Sequence, residues 1–203
     1  VWLENGIIYR NGREIMPAAD IKIPGVHNIE NYMAAACATE GLVSDADVDA
    51  LARSFGGVEH RIELVRELHG VKYYNDSIAS SPSRTIAGLH SFQQKVILIA
   101  GGYDKHIPFD VLGPEICAHV KTLVLCGATA GRIRAAVENA PEYHEGEPQI
   151  LEAKNLREAV ELAKNAAAAG DIVTLSPACA AFDQFKNFAV RGKTFKEIVN
   201  SLT

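Results

Sequence analysis

"KVILIAGGYDKHIPFD", residues 95–110, opens on a lysine, runs through five apolar residues and breaks at two glycines. A strand with one wet face alternates apolar and polar residues; one apolar throughout is covered on both faces. "TLVLCGAT" (122–129) and "DIVTLSPA" (171–178) have the same form, and "QILEAK" (149–154) is a weaker version. Helical patterns lie between them. In "NLREAVELAKNAAAAG" (155–170), Leu156, Ala159, Val160, Ala163 and Ala167 recur at three- and four-residue spacing, and Gly170 is read as the stop. This strand–helix alternation predicts an α/β domain, a doubly wound and mostly parallel sheet with helices on both faces.

Upstream the pattern changes. "IELVREL" (62–68) and "VKYYND" (71–76) flank His69-Gly70 and read as a strand pair. Residues 1–57 look like a separate, small α+β piece. "GIIYR" (6–10) and "EIMPAADIKI" (14–23) surround the turn signal Asn11-Gly12. "GVHNIENYMAAACATEGL" (25–42) predicts a helix capped by Asn28 and stopped by Gly41, and "SDADVDALARSF" (44–55) a second, opened by Ser44 with Asp47 three residues on. "GGVEHR" (56–61) reads as a hinge, which puts a boundary between 1–57 and 58–203.

The 203 residues are 48% apolar with net charge −5. The sign argues against a nucleic-acid binder. No apolar run approaches ~18 residues, so no membrane-spanning helix is expected. No signal-peptide pattern is visible in residues 1–12. The chain starts on Val1 without an initiator methionine, which leads us to expect a fragment of a longer protein. Cys37, Cys117, Cys126 and Cys179 are scattered, with no C-x-x-C and no H-E-x-x-H elsewhere. They read as reduced core or near-core thiols of a cytoplasmic protein, and no metal site is expected.

Ligands of doubly wound folds sit at the carboxyl ends of the strands. Four loops therefore matter: 75–82, 101–109, 126–133 and 176–188. In the first, Asp76, Ser77, Ser80 and Ser81 crowd the gap before a helix that starts near Pro82 and buries Leu89. Asp76 is either an acceptor for ribose hydroxyls or a cap for that helix. In the second, Lys105 is a cation beside Gly101-Gly102, or a solvated lysine. Neither G-x-G-x-x-G nor a P-loop motif occurs. In the last, Phe182, Phe185 and Phe188 recur every third residue, as aromatics packing from a helix would.

"SPACAAFDQFKNFAVRGKTF" (176–195) resembles the carboxy-terminal signature of the Mur ligases, within them the D-glutamate-adding branch. "HNIEN" (27–31), "GVEHRIELV" (57–65), "YNDSIASSP" (74–82) and "LIAGGYDKHIPFD" (98–110) follow that family in order and approximate spacing. The resemblance implies a Rossmann-like carboxy-terminal domain, 58–203, preceded by the tail of a central ATPase domain, 1–57. It implies an ATP-dependent ligase of peptidoglycan precursor synthesis, a monomer, that joins D-glutamate to UDP-N-acetylmuramoyl-L-alanine through an acyl phosphate, with domain closure excluding water. It implies ATP contacts from Asn28, Asn31, Arg61 and Asp76, with His27 supporting that helix. It implies an amino-acid pocket from Ser80, Lys105, Ala181, Phe182 and Phe188. The P-loop, the Mg²⁺ ligands, the catalytic groups and the UDP site would lie upstream, so these residues alone are expected to be inactive. Ile78 stands where the family often has lysine, and Ala181 where it commonly has serine; both departures fall on the amino-acid side. Alternatives are a sibling ligase adding lysine or diaminopimelate, a folylpolyglutamate-type ligase, or a non-enzymatic nucleotide-binding module.

Overall fold

Val96–Ala100 is a strand with every residue buried. Its side chains alternate between two apolar clusters: Ile97 and Ile99 enter one, Val96, Leu98 and Ala100 the other. Both faces of the sheet are therefore dry along this strand, which is why it carries no polar alternation. The computed structural model describes residues 1–23 and 25–203, in two compact units, Val1–Gly57 and Val58–Thr203.

The first unit holds a three-stranded antiparallel sheet of β1 (Trp2–Glu4), β2 (Ile7–Arg10) and β3 (Arg13–Pro17), with α1 (Val26–Ala38) and α2 (Asp45–Ser54). Ser44 and Asp47 form the expected capping box on α2. Asn28 is not a cap. Helix α1 begins at Val26 behind Gly25, and the Asn28 N–H already bonds the Gly25 carbonyl at 3.0 Å, which places Asn28 in the first turn. Nor does α1 run on to Gly41. Thr39 closes it, its N–H and Oγ both donating to the Ala35 carbonyl. Cys37 is exposed, contrary to the expected core or near-core position, whereas Cys117, Cys126 and Cys179 are buried; all four are free.

The second unit is a six-stranded sheet in the order β4 (Glu63–Leu68), β5 (Val71–Asn75), β9 (Ile172–Leu175), β6 (Val96–Ala100), β7 (Val120–Cys126), β8 (Gln149–Ala153). Only β4 is antiparallel to its neighbour. Helices α3 (Pro82–Leu89), α4 (Leu112–His119) and α5 (Ala130–Glu138) cover one face, through Leu89, Leu112, Ile116, Ile133 and Val137. Helices α6 (Leu156–Ala166) and α7 (Phe188–Ser201) cover the other, through Leu156, Val160, Phe195, Ile198 and Val199. Fully burying each such side chain contributes about 1.5–3 kcal/mol. This is the Rossmann-like, doubly wound architecture expected. Helix α6 stops at Ala166, before Gly170, because Asp171 ties up the following turn: its Oδ2 accepts the Ala168 N–H at 2.7 Å. Residues 181–187 are turns and bends, not helix, so the three phenylalanines do not share one helical face. The sheet order inserts β9 between β5 and β6, which brings the loops leaving β5, β9, β6 and β7 to one end.

Candidate substrate site at the strand ends

The loop after β5 is built around a carboxylate taken out of water. Asp76 is 4% exposed. Its Oδ2 accepts the Ser176 hydroxyl at 2.7 Å and its Oδ1 the Ile62 N–H at 3.3 Å. Burial raises its pKa to about 6, against the opposing effect of these bonds and of the Arg61 and Arg84 charges. Asp76 does not cap α3: the N-cap is Ser81, which makes no side-chain cap bond, and Pro82 occupies the first turn. The donor to Asp76 is itself unusual. Ile62 has φ 45° and His60 φ 69°, and a β-branched residue seldom adopts such a backbone. Bonds to the end of β5 and its loop hold it there: the His60 carbonyl accepts the Ile78 N–H, and His60 Nδ1 lies 2.9 Å from Asn75 Nδ2. Between these two residues Arg61 is exposed, with no side-chain partner among the described residues.

The loops after β6 and β9 are tied together. Gly101 N–H bonds the Pro177 carbonyl and Tyr103 N–H the Ala180 carbonyl. Gly102 has φ 151°, and a Cβ there would lie 2.4 Å from the Ala180 oxygen, so only glycine allows this approach. Thr129, after β7, joins them: its Oγ1 accepts the Gly102 N–H and touches Cys179 Sγ, both at 3.1 Å. Burial lifts the Cys179 thiol to about 11, so it stays protonated and is no nucleophile.

Arg191 in α7 locks this framework, and the sequence reading missed it. Its Nε donates to Ser77 Oγ at 3.0 Å, and its Nη2 to the carbonyls of Ser77 and Cys179 at 2.9 and 3.0 Å. Nη1 reaches the Ala180 carbonyl at 3.2 Å. Among the described residues no carboxylate forms an ion pair with it, and burial pulls its pKa down to about 10. One signal was legible: Phe188, Arg191, Phe195, Ile198 and Leu202 are spaced at three and four, so an arginine stands on the apolar stripe.

The expected amino-acid pocket residues are placed unevenly. Ala181 is buried; Phe182 is 64% exposed, its ring edge on Tyr103. Phe188 opens α7, with its carbonyl accepting the Ser77 hydroxyl and its ring against His60. These join the loops after β5, β6 and β9. Lys105 is exposed and Ser80 half-buried, and neither side chain is bonded to another described residue. Asn28 and Asn31 lie in the first unit, where Asn31 Nδ2 donates to Asn28 Oδ1 at 3.4 Å.

The family model described as "Mur ligase, glutamate ligase domain" matches residues 60–179, more than half of the chain. The chain belongs to the Mur ligase family. The UDP-N-acetylmuramoylalanine–D-glutamate ligase of Clostridium beijerinckii is 53% identical to it over 201 residues, 99% of this chain and 44% of that protein. The corresponding ligase of Acetivibrio thermocellus is 55% identical over 201 residues, 97% of this chain and 43% of that protein. This Mur ligase chain thus spans less than half the length of the curated relatives it matches. Among solved structures, a pseudomurein peptide ligase type C from Methanothermus fervidus superposes with TM-score 0.68 at 15% identity, over 99% of this chain and 41% of that one. A Mycobacterium tuberculosis folylpolyglutamate synthase complexed with ADP gives 0.60 at 14%, over 87% and 41%. At such identities these two attest the fold alone. No helix among the described residues is long and apolar enough to cross a membrane.

Proposed function

We propose that this chain is the carboxy-terminal portion of an ATP-dependent ligase that adds D-glutamate to UDP-N-acetylmuramoyl-L-alanine, a cytoplasmic step of cell-wall precursor synthesis. The observation that carries the proposal is the 53% identity, over 99% of the chain, to a relative named for that reaction. Geometry supports it. Asp76 uses one acceptor direction on each oxygen, and a carboxylate offers about four, so ribose hydroxyls can be received on the remainder. The exposed Arg61 and Arg84 guanidiniums lie close enough to act on that carboxylate, and they suit a polyanion. This donor set fits a nucleotide.

Bound ATP supplies the phosphoryl group that activates the substrate carboxylate. The residues of this chain bind and orient: Lys105 holds a D-glutamate carboxylate, while Ser80, Ala181, Phe182 and Phe188 shape the pocket. The described residues do not fit Mg²⁺. The acidic cluster nearest this end, Glu59–His60–Glu63, is already bridged by the Lys196 ammonium. We assign the metal and the phosphate cradle to other parts of the full-length protein, and expect these 203 residues alone to release no phosphate from ATP.

The test is phosphate release by the full-length protein with ATP and UDP-N-acetylmuramoyl-L-alanine. D-Glutamate should be required. A requirement for lysine, diaminopimelate or a folate instead would overturn the assignment, as would turnover by this chain alone.

A further inference from the structure

At the other end of the sheet lies a cluster the ligase chemistry does not use. Helices α3 and α4 both end beside the starts of β6 and β7, away from the loops described above. His90 is the C-cap of α3, and Glu115 and His119 are one turn apart on α4. Residues four apart on a helix share a face. His90 Nε2 lies 2.6 Å and His119 Nε2 3.6 Å from the same Glu115 Oε2. The two imidazole rings are 4.9 Å apart, and the three ligand atoms all lie within 4.8 Å of one another.

We propose that His90, Glu115 and His119 form a surface site for a divalent transition metal of the zinc class. Two imidazole nitrogens with one carboxylate oxygen are a donor set suited to zinc, with the outer position left to water. Magnesium and calcium prefer all-oxygen shells. The contrast with Glu59–His60–Glu63 is instructive. There a lysine ammonium occupies the space between the carboxylates, and His60 Nδ1 is held by Asn75. At Glu115, no lysine or arginine among the described residues pairs with the carboxylate. All three side chains are partly exposed, so a metal can reach them. Bound there, it would clip the end of α3 to α4 and stabilise the second unit without touching the strand-end loops.

The experiment is isothermal titration of the chelator-treated chain with zinc chloride alone, with thermal unfolding in parallel. We expect one zinc per chain, a raised Tm, and affinity that falls as pH is lowered, because protons compete for the imidazoles. His90→Ala and Glu115→Gln should each weaken binding at least about tenfold. Circular dichroism of the metal-free variants shows that each is folded, and either folded variant suffices. No saturable binding, undiminished affinity in a folded variant, or displacement of zinc by millimolar magnesium would each overturn the site.

Discussion

The Arg191 guanidinium donates to both the hydroxyl and the carbonyl of Ser77, at 3.0 and 2.9 Å, from 114 residues further along the chain. The same group holds the carbonyls of Cys179 and Ala180. One side chain therefore fixes the loop that carries Asp76 against the loop that carries Ala181 and Phe182.

Replacing it tests that role. Arg191→Met leaves the buried carbonyls of Ser77 and Cys179 short of a donor, and an unsatisfied buried polar group costs about 1–3 kcal/mol. We expect a loss of about 2–4 kcal/mol in urea unfolding, and Arg191→Lys to recover only part of it, because one ammonium cannot span four acceptors in a planar fork. A midpoint shift worth less than about 0.5 kcal/mol would contradict the account.

Asp76 makes an opposite prediction. Its pKa is raised in the folded state, from 3.8 to about 6. Between those values the folded chain keeps a proton that the unfolded chain has released. The group's contribution to stability is therefore full below about pH 4 and is lost as pH rises through about 6. The shift amounts to about 3 kcal/mol. In Asp76→Asn the amide oxygen can accept from Ile62 and the amide nitrogen can donate to Ser176 Oγ, whose own hydroxyl then donates to Thr85 Oγ1, 3.1 Å away. The variant should match the parent near pH 4, exceed it in stability by up to about 3 kcal/mol at pH 7.5, and in the full-length enzyme raise the KM for ATP. A less stable variant at pH 7.5 would make the carboxylate a structural group.

Lys105→Met deletes an exposed charge with no bonded partner among the described residues, so stability should change by less than about 0.5 kcal/mol. In the full-length enzyme the KM for D-glutamate should rise roughly tenfold to a hundredfold, equivalent to about 1.5–3 kcal/mol for a charged hydrogen bond. The KM for ATP should change much less. Steady-state kinetics decides: an unchanged D-glutamate KM removes Lys105 from the pocket.

Two glycines should respond with opposite sign. Gly102→Ala brings a Cβ to 2.4 Å from the Ala180 carbonyl at φ 151°, and strained backbone of this kind costs about 1–3 kcal/mol. Gly131, in α5, has nothing within 4 Å of an added Cβ, and Gly131→Ala should gain about 0.5 kcal/mol. Calorimetric Tm values falling and rising together would refute this.

The sequence by itself determined the parallel sheet, its coverage on both faces and the strand-end loops, because burial on two faces removes polar residues from a strand and period-3.6 stripes mark the helices between. It also marked Asp76, Lys105 and the stretch around Phe182 by their position after strands. Tertiary structure decided what those residues meet. The order β5-β9-β6 sets Ser176 against Asp76 across 100 residues, and Arg191 against Ser77 across 114. The left-handed backbone at His60 and Ile62, bonded to Ile78 and Asp76 of the next strand-end loop, and the meeting of His90 with Glu115 and His119 depend likewise on bonds between separate segments. Local propensity is a property of neighbours along the chain. A buried polar group is settled only when the fold supplies its partner, and that partner is rarely a neighbour.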